Sequence, residues 1–178
     1  MNQPQPMPPS RTQTQPDFSQ PKSSCLKRVL ITLGVIVLFI IVVLGVLYFW
    51  YSSSYNKGKE LYRQGNYEQS VKKLETASKL SFGDDPLLLK FIAISHARLG
   101  QFDEAKTNLN KLTSINPTSP ETYKTMAYVY ALEATQNNDD AELNQAKDLM
   151  EKAWQLDSAG FSQADKDLLE LLQNPPKK

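Results

Sequence analysis

One stretch of this chain is written twice, and that constrains its fold more than anything else in the sequence. Gly65-Asn66-Tyr67-Glu68-Gln69-Ser70-Val71-Lys72-Lys73-Leu74-Glu75-Thr76-Ala77 aligns with Gly100-Gln101-Phe102-Asp103-Glu104-Ala105-Lys106-Thr107-Asn108-Leu109-Asn110-Lys111-Leu112 at an offset of 35 residues. In each copy a glycine suited to a helix-to-helix turn is followed by an aromatic two residues on. A small residue comes three further, then a leucine and another apolar residue at helical spacing. A period of this length marks a repeat architecture, in which one unit cannot bury its apolar stripe alone and must stack on its copies, about three being needed. No run shows the two-residue alternation of a strand, so no sheet is expected.

A third copy runs from Pro120 to Asp157, with Tyr123, Met126, Ala127 and Tyr130 on its first helix and Ala146, Met150 and Ala153 on its second. Its turn departs from the other two. The glycine and the aromatic are absent, and Thr135 to Glu142 reads as an insertion of about seven residues that extends the helices or the loop. Small residues recur where helices of a pair cross: Gly58 with Ser70, Ala93 with Ala105, Ala127 with Ala146. Over residues 53–157 the pattern resembles the tetratricopeptide repeat, a helix-turn-helix unit of about 34 residues. Asn116-Pro117 closes the second copy as in that family, whereas Ser81-Phe82-Gly83 closes the first without the proline. The resemblance implies an all-α solenoid of about three repeats. Ser162 to Gln173, with Phe161, Leu168, Leu169, Leu171 and Leu172, supplies a helix to cap its exposed end.

Local signals place the helix starts. Asp85-Pro86 and Ser119-Pro120 each set a capping side chain before a proline at the first helical position, where the missing N–H is no loss. Asn66-x-x-Gln69, Asp139-x-x-Glu142 and Ser162-x-x-Asp165 resemble capping boxes.

Ahead of the repeats, Val29 to Tyr51 is an uncharged, almost wholly apolar run of 23 residues, roughly 35 Å as a helix and enough to cross a bilayer. It exceeds the apolar core of a cleaved signal peptide, lacks a small-x-small cleavage site, and closes on the aromatic cluster Tyr48, Phe49, Trp50 and Tyr51, as an interfacial belt does. The run therefore reads as a retained signal-anchor. With Gly58 as the only breaker before Gly65, the first repeat helix is expected to run on from it. Lys27 and Arg28 abut the span while Lys57, Lys59 and Arg63 lie further beyond it, which favours a cytoplasmic N-terminus and an extracytoplasmic repeat domain. Residues 1–28 hold six of the eleven prolines and too little apolar surface to offset chain entropy, so they read as a disordered Pro/Gln-rich tail. The organisation expected is tail 1–28, transmembrane helix 29–51, repeat domain 52–173 and a disordered end 174–178.

Charge and chemistry exclude much. A formal net charge of +1 lacks the basic excess of a general nucleic-acid binder. One cysteine, Cys25, and one histidine, His96, provide neither a disulfide framework nor a Cys/His metal cage. No HExxH, GxSxG or phosphate-loop spacing occurs. No catalytic role, cofactor or metal is expected, and His96 reads as a packing residue. In the family the first helices line a groove that receives peptides. Carried onto this chain, that face implies Tyr55, Lys59, Tyr62 and Arg63, then Lys90, Ile94 and Arg98, then Glu121, Lys124, Tyr128 and Leu132. Such a basic and aromatic surface suits an acidic or C-terminal peptide. The chaperone-binding subgroup's Lys/Asn clamp is not matched.

The function expected is thus a single-pass membrane scaffold or adaptor that binds partner proteins at a membrane surface. A self-associating structural subunit and a cytosol-facing import or chaperone receptor stand as alternatives. No usable N-glycosylation sequon occurs, since Asn116 precedes Pro117, and a bacterial plasma membrane fits best.

Overall fold

The structure, a computed structural model, describes residues 23–81 and 84–175. The described residues form seven helices and no strand: α1 (Ser23–Arg63), α2 (Tyr67–Leu80), α3 (Pro86–Arg98), α4 (Phe102–Ile115), α5 (Pro120–Asn137), α6 (Asp140–Leu156) and α7 (Gln163–Gln173). They divide into two units, Met1–Val43 and Leu44–Lys178.

Within the first unit, α1 starts at Ser23, ahead of the boundary that charge alone places at Val29. Once an apolar run has nucleated a helix, each added residue gains a hydrogen bond, and Lys27 and Arg28 are good helix formers. Of the expected tail, residues 1–22 lie outside the described residues, as do residues 176–178 of the expected C-terminal end. From Val29 through Val43 the apolar side chains are exposed all round. The helix is long and apolar enough to cross a membrane, with a mean hydropathy of 3.3 in its most apolar window.

In the second unit, the C-terminal part of α1 pairs with α2, α3 with α4, and α5 with α6, and α7 packs on α6. Close crossings occur where small residues recur. Ala93, Ala105, Ala127 and Ala146 are each fully buried. Ser70 donates its hydroxyl to the Gly58 carbonyl at 2.8 Å, and a Cβ on Gly58 would meet Leu74 Cγ at 2.7 Å. Three core clusters follow along the stack, around Leu74, Leu88 and Ile92, around Ala97, Leu109 and Val129, and around Met150, Phe161 and Leu172.

The caps stand at the expected places. Asp85 accepts from the Leu87 and Leu88 amides, Asp139 from those of Ala141 and Glu142, and Asn66 from that of Gln69, while Ser162 and Asp165 complete a full capping box. Ser119 holds its cap position through backbone geometry, without a side-chain bond. The turns of the first two pairs pass through Gly65 and Gly100 at φ 76° and 75°, a left-handed conformation natural to glycine. In the third pair Asn138 takes that role at φ 56°. Asparagine is among the few other residues that tolerate this region. The insertion becomes helix: α5 has 18 residues and α6 has 17, against 13 and 14 in α3 and α4.

Candidate functional site

The strip implied by the first helices resolves into four local arrangements. On α1, Tyr55 stacks on Tyr51 with ring centres 6.1 Å apart, and the Lys59 ammonium lies 5.8 Å from the Tyr55 ring centre. Tyr62 is half-buried, edge-on to Tyr67 and to Phe91 of α3 at 5.8 and 5.2 Å, and Arg63 is exposed. Arg98 of α3 lies over the Tyr128 ring of α5 at 5.1 Å and donates to its hydroxyl.

Two lysines of the strip, Lys90 and Lys124, are committed within the chain. Lys90 of α3 pairs with Glu121 of α5, and Lys124 reaches Glu121 at 2.8 Å, Asp165 of α7 at 3.3 Å and the Gly160 carbonyl at 3.3 Å. Burial pushes the Glu121 carboxyl up, but Lys124 and Lys90 outweigh it and hold it below the ordinary carboxylate range. Burial pulls Lys124 down, and Glu121 and Asp165 more than reverse that. This chain of alternating charge ties α3, α5 and α7 together. It leaves Lys90 and Lys124 less available to an incoming carboxylate than their spacing suggests.

Ile94 departs from its expected place on the strip. It is buried, 6 % exposed, because α3 packs on α2, α4 and α5, so a middle helix keeps only a narrow free face. Leu132 is half-buried against the cluster around Ala97 and Val129. His96 is buried with Nδ1 2.8 Å from Gln101 Oε1 and Nε2 3.9 Å from Glu75, where it joins the end of α3 to the following turn. No group of three or more His, Cys, Asp or Glu side chains among the described residues is placed to hold a metal ion.

Two features were not read from the sequence. Lys106 of α4 meets Glu133 of α5 at 2.7 Å and Glu142 of α6 at 3.4 Å, with the Tyr130 ring centre 5.2 Å away. Burial raises Glu142, and the neighbouring Glu133 raises it further against the pull of Lys106. The one available signal was Glu133 itself, four residues beyond Val129 on a buried stripe. The second feature is a cavity of about 770 Å³ walled by α5, the start of α6 and α7, whose apolar lining includes Tyr128, Leu132, Leu143 and Leu168. Leu171, expected to help cover the end of the stack, is 55 % exposed and stands in the wall of this cavity. Phe161 and Leu172 do the covering, with Leu168 and Leu169 packed against the same cluster.

Comparison with known proteins agrees with this geometry. A tetratricopeptide repeat family model matches residues 91–119, the span of the copy in which glycine, aromatic and Asn-Pro are all present. Among solved structures, a thermophilic tetratricopeptide protein of Thermus thermophilus is similar at TM-score 0.60 and 21% identity, over 68% of this chain and 63% of that one. The first tetratricopeptide domain of Spaghetti (RPAP3), bound to the HSP90 peptide SRMEEVD, is similar at TM-score 0.53 and 19% identity, over 69% of this chain and 90% of that one. A curated relative, the rhomboid protease GluP of Bacillus subtilis (strain 168), is 32% identical over 82 residues, 45% of this chain. The chain spans 16% of that relative's length. The helical region has the tetratricopeptide-repeat solenoid fold, and it follows an apolar helix of membrane-spanning length.

Proposed function

We propose that this chain is a non-enzymatic scaffold, anchored by α1 as a single-pass membrane protein, whose repeat domain binds a segment of a partner protein. The observation that carries the reading is the aromatic and basic strip shared by successive first helices, where Lys59 lies on Tyr55 and Arg98 on Tyr128. Rigid aromatic rings with cations beside them are what peptide-binding surfaces are made of. The similar RPAP3 domain holds a peptide, SRMEEVD, on the same fold. The anchor reading rests on the exposed apolar surface of α1 and on Lys27 and Arg28 at its N-terminal edge. We place the N-terminus in the cytoplasm and the repeats outside it, at a bacterial plasma membrane.

Two measurements test this. Arginine at both Val37 and Val42 should release the protein from membranes or block insertion, because each charge at mid-span costs about 2.5–3.5 kcal/mol. Unchanged fractionation would exclude the anchor. Photo-crosslinkers at Lys59 and Arg98 of the full chain in sealed membranes should capture one common partner, and a crosslinker at the exposed Thr107 of α4 should not. Equal capture at all three positions would remove the binding strip.

A further inference from the structure

The end of the apolar run and the start of the repeat stack occupy the same stretch of α1. The run extends to Tyr51, and its last turns, from Leu44 on, belong to the second unit. Side chains along α1 are exposed from Lys27 to Val46 and then change. Leu47 and Tyr51 are half-buried, while Tyr48, Phe49 and Trp50 between them stay exposed. Tyr51 packs on the core cluster of Leu74, Ala77, Leu88 and Ile92, so helix packing begins before the apolar sequence ends. From Leu47 to Tyr51 the helix rises about 6 Å. That equals the depth of one polar layer of a bilayer, whose full thickness of about 40–45 Å exceeds its hydrocarbon core of about 30 Å on both sides.

One carboxylate fixes what stands at that level. Asp85 Oδ2 accepts from the Tyr51 hydroxyl at 2.8 Å, and Asp85 Oδ1 accepts from the Leu87 amide at 2.9 Å. The start of α3 is thereby held beside the last residue of the run. Leu87 is 53 % exposed there, and Asp84, also exposed, precedes it. Open apolar surface at the level of an aromatic cluster marks a membrane contact. The Asp84 carboxylate sets its depth, since a charge is costly in hydrocarbon but not among headgroups.

We propose that the start of α3 is a shallow lipid contact of the repeat domain, in which Leu87 seats among the headgroups at the level of Tyr48, Phe49 and Trp50. The Tyr51–Asp85 bond holds it there, so the domain does not swing freely on its anchor but turns one edge to the bilayer. The occupant is the bilayer rather than a partner protein, because this edge is continuous with the apolar surface that α1 exposes. The inference rests on the anchor reading and adds to it a second point of contact.

The test uses the full chain with Cys25→Ser in phosphatidylcholine nanodiscs that contain phosphatidylcholine spin-labelled at the headgroup or deep in the acyl chain. An environment-sensitive dye is placed on Leu87→Cys or, at the opposite end of the same helix, on Leu99→Cys. The headgroup label should quench the dye at 87 severalfold more than the dye at 99, and the deep label should quench neither strongly. With the dye on Asp84→Cys instead, Leu87→Ser, at an exposed site, should reduce headgroup quenching severalfold. No quenching at 87, equal quenching at 87 and 99, or quenching at 84 that ignores Leu87→Ser would overturn the proposal. A dye on Val37→Cys separates it from the anchor. Quenching there by the deep label with none at 87 keeps α1 in the bilayer and removes the lipid contact alone, whereas no quenching at 37 removes both.

Discussion

The second and third helix pairs answer the same structural demand with different sequences. Both set two fully buried alanines at their crossing, Ala93 with Ala105 and Ala127 with Ala146. The second pair turns through Gly100 and keeps helices of 13 and 14 residues. The third turns through Asn138 after an α5 of 18 residues. On one side the added length is covered: Gln136 packs over the Gly100 turn, and Glu133 receives Lys106. On the other side a cavity opens between α5, the start of α6 and α7. Both pairs thus close their crossings on buried alanines, while new surface arises at the far end of the longer one.

The largest effects should come from emptying the two cores. Leu109 and Met150 are 2 % and 1 % exposed, and truncating either to alanine in a packed interior costs about 2–5 kcal/mol. Thermal unfolding of the two variants should show comparable losses. A loss under about 1 kcal/mol for Met150→Ala beside a full loss for Leu109→Ala would break the equivalence, because the longer pair would then be loosely packed at its centre.

Overpacking the crossings comes next. Ala105→Leu and Ala146→Leu should each destabilise by roughly 1–3 kcal/mol. Thr107→Leu, on the exposed face of α4, should change stability by less than about 0.5 kcal/mol. Were Thr107→Leu the worst of the three, the register of α4 would be wrong.

What the sequence showed and what it hid divide along physical lines. Turn glycines, caps, small crossing residues and the apolar run are local or periodic signals, and Asp85, Asp139 and Ser162 cap where their spacing predicts. Partners set by stacking were hidden. Lys90 and Glu121 stand 31 residues apart, and Lys124 and Asp165 stand 41 apart, so their pairing depends on how helices sit side by side. Ile94 is buried for the same reason: periodicity shows a stripe but not how many neighbours cover it. The insertion at Thr135 to Glu142 was visible, but its length alone left helix and loop open; both helices take it up.

The turns should respond more mildly and in contrast. At Gly100 an alanine pays for the left-handed backbone with about 1 kcal/mol, and its Cβ would lie 3.1 Å from Gln136 Nε2, the mobile end of a side chain that can move aside. Asn138→Gly relieves residual strain but loosens the unfolded chain, so unfolding should shift by no more than about 0.5 kcal/mol. A large loss at Asn138 would mean that its side chain, rather than its backbone, closes the third pair.

The smallest effects lie at the two ionic joints between the pairs, and they should differ in sign. Glu121 is held below the ordinary carboxylate range because Lys124 and Lys90 outweigh its burial. Its contribution is therefore present above the unfolded value and disappears as pH falls through the folded one. Glu142 is raised, by burial first and then by Glu133, so its contribution is present below the unfolded value and is lost as pH rises through the folded one. Glu121→Gln should consequently lower the melting temperature at neutral pH by the equivalent of about 0.5 kcal/mol, the scale of partly exposed ion pairs, and the gap to the parent should close on acidification through the carboxylate range. Glu142→Gln should match or slightly exceed the parent at neutral pH, and its advantage should vanish over the same acid range. Melting curves of both variants from acid to neutral pH measure the two slopes directly. If Glu142→Gln instead loses stability at neutral pH, Lys106 needs both carboxylates, and the longer third pair is clamped to the second by a balanced triad rather than by Glu133 alone.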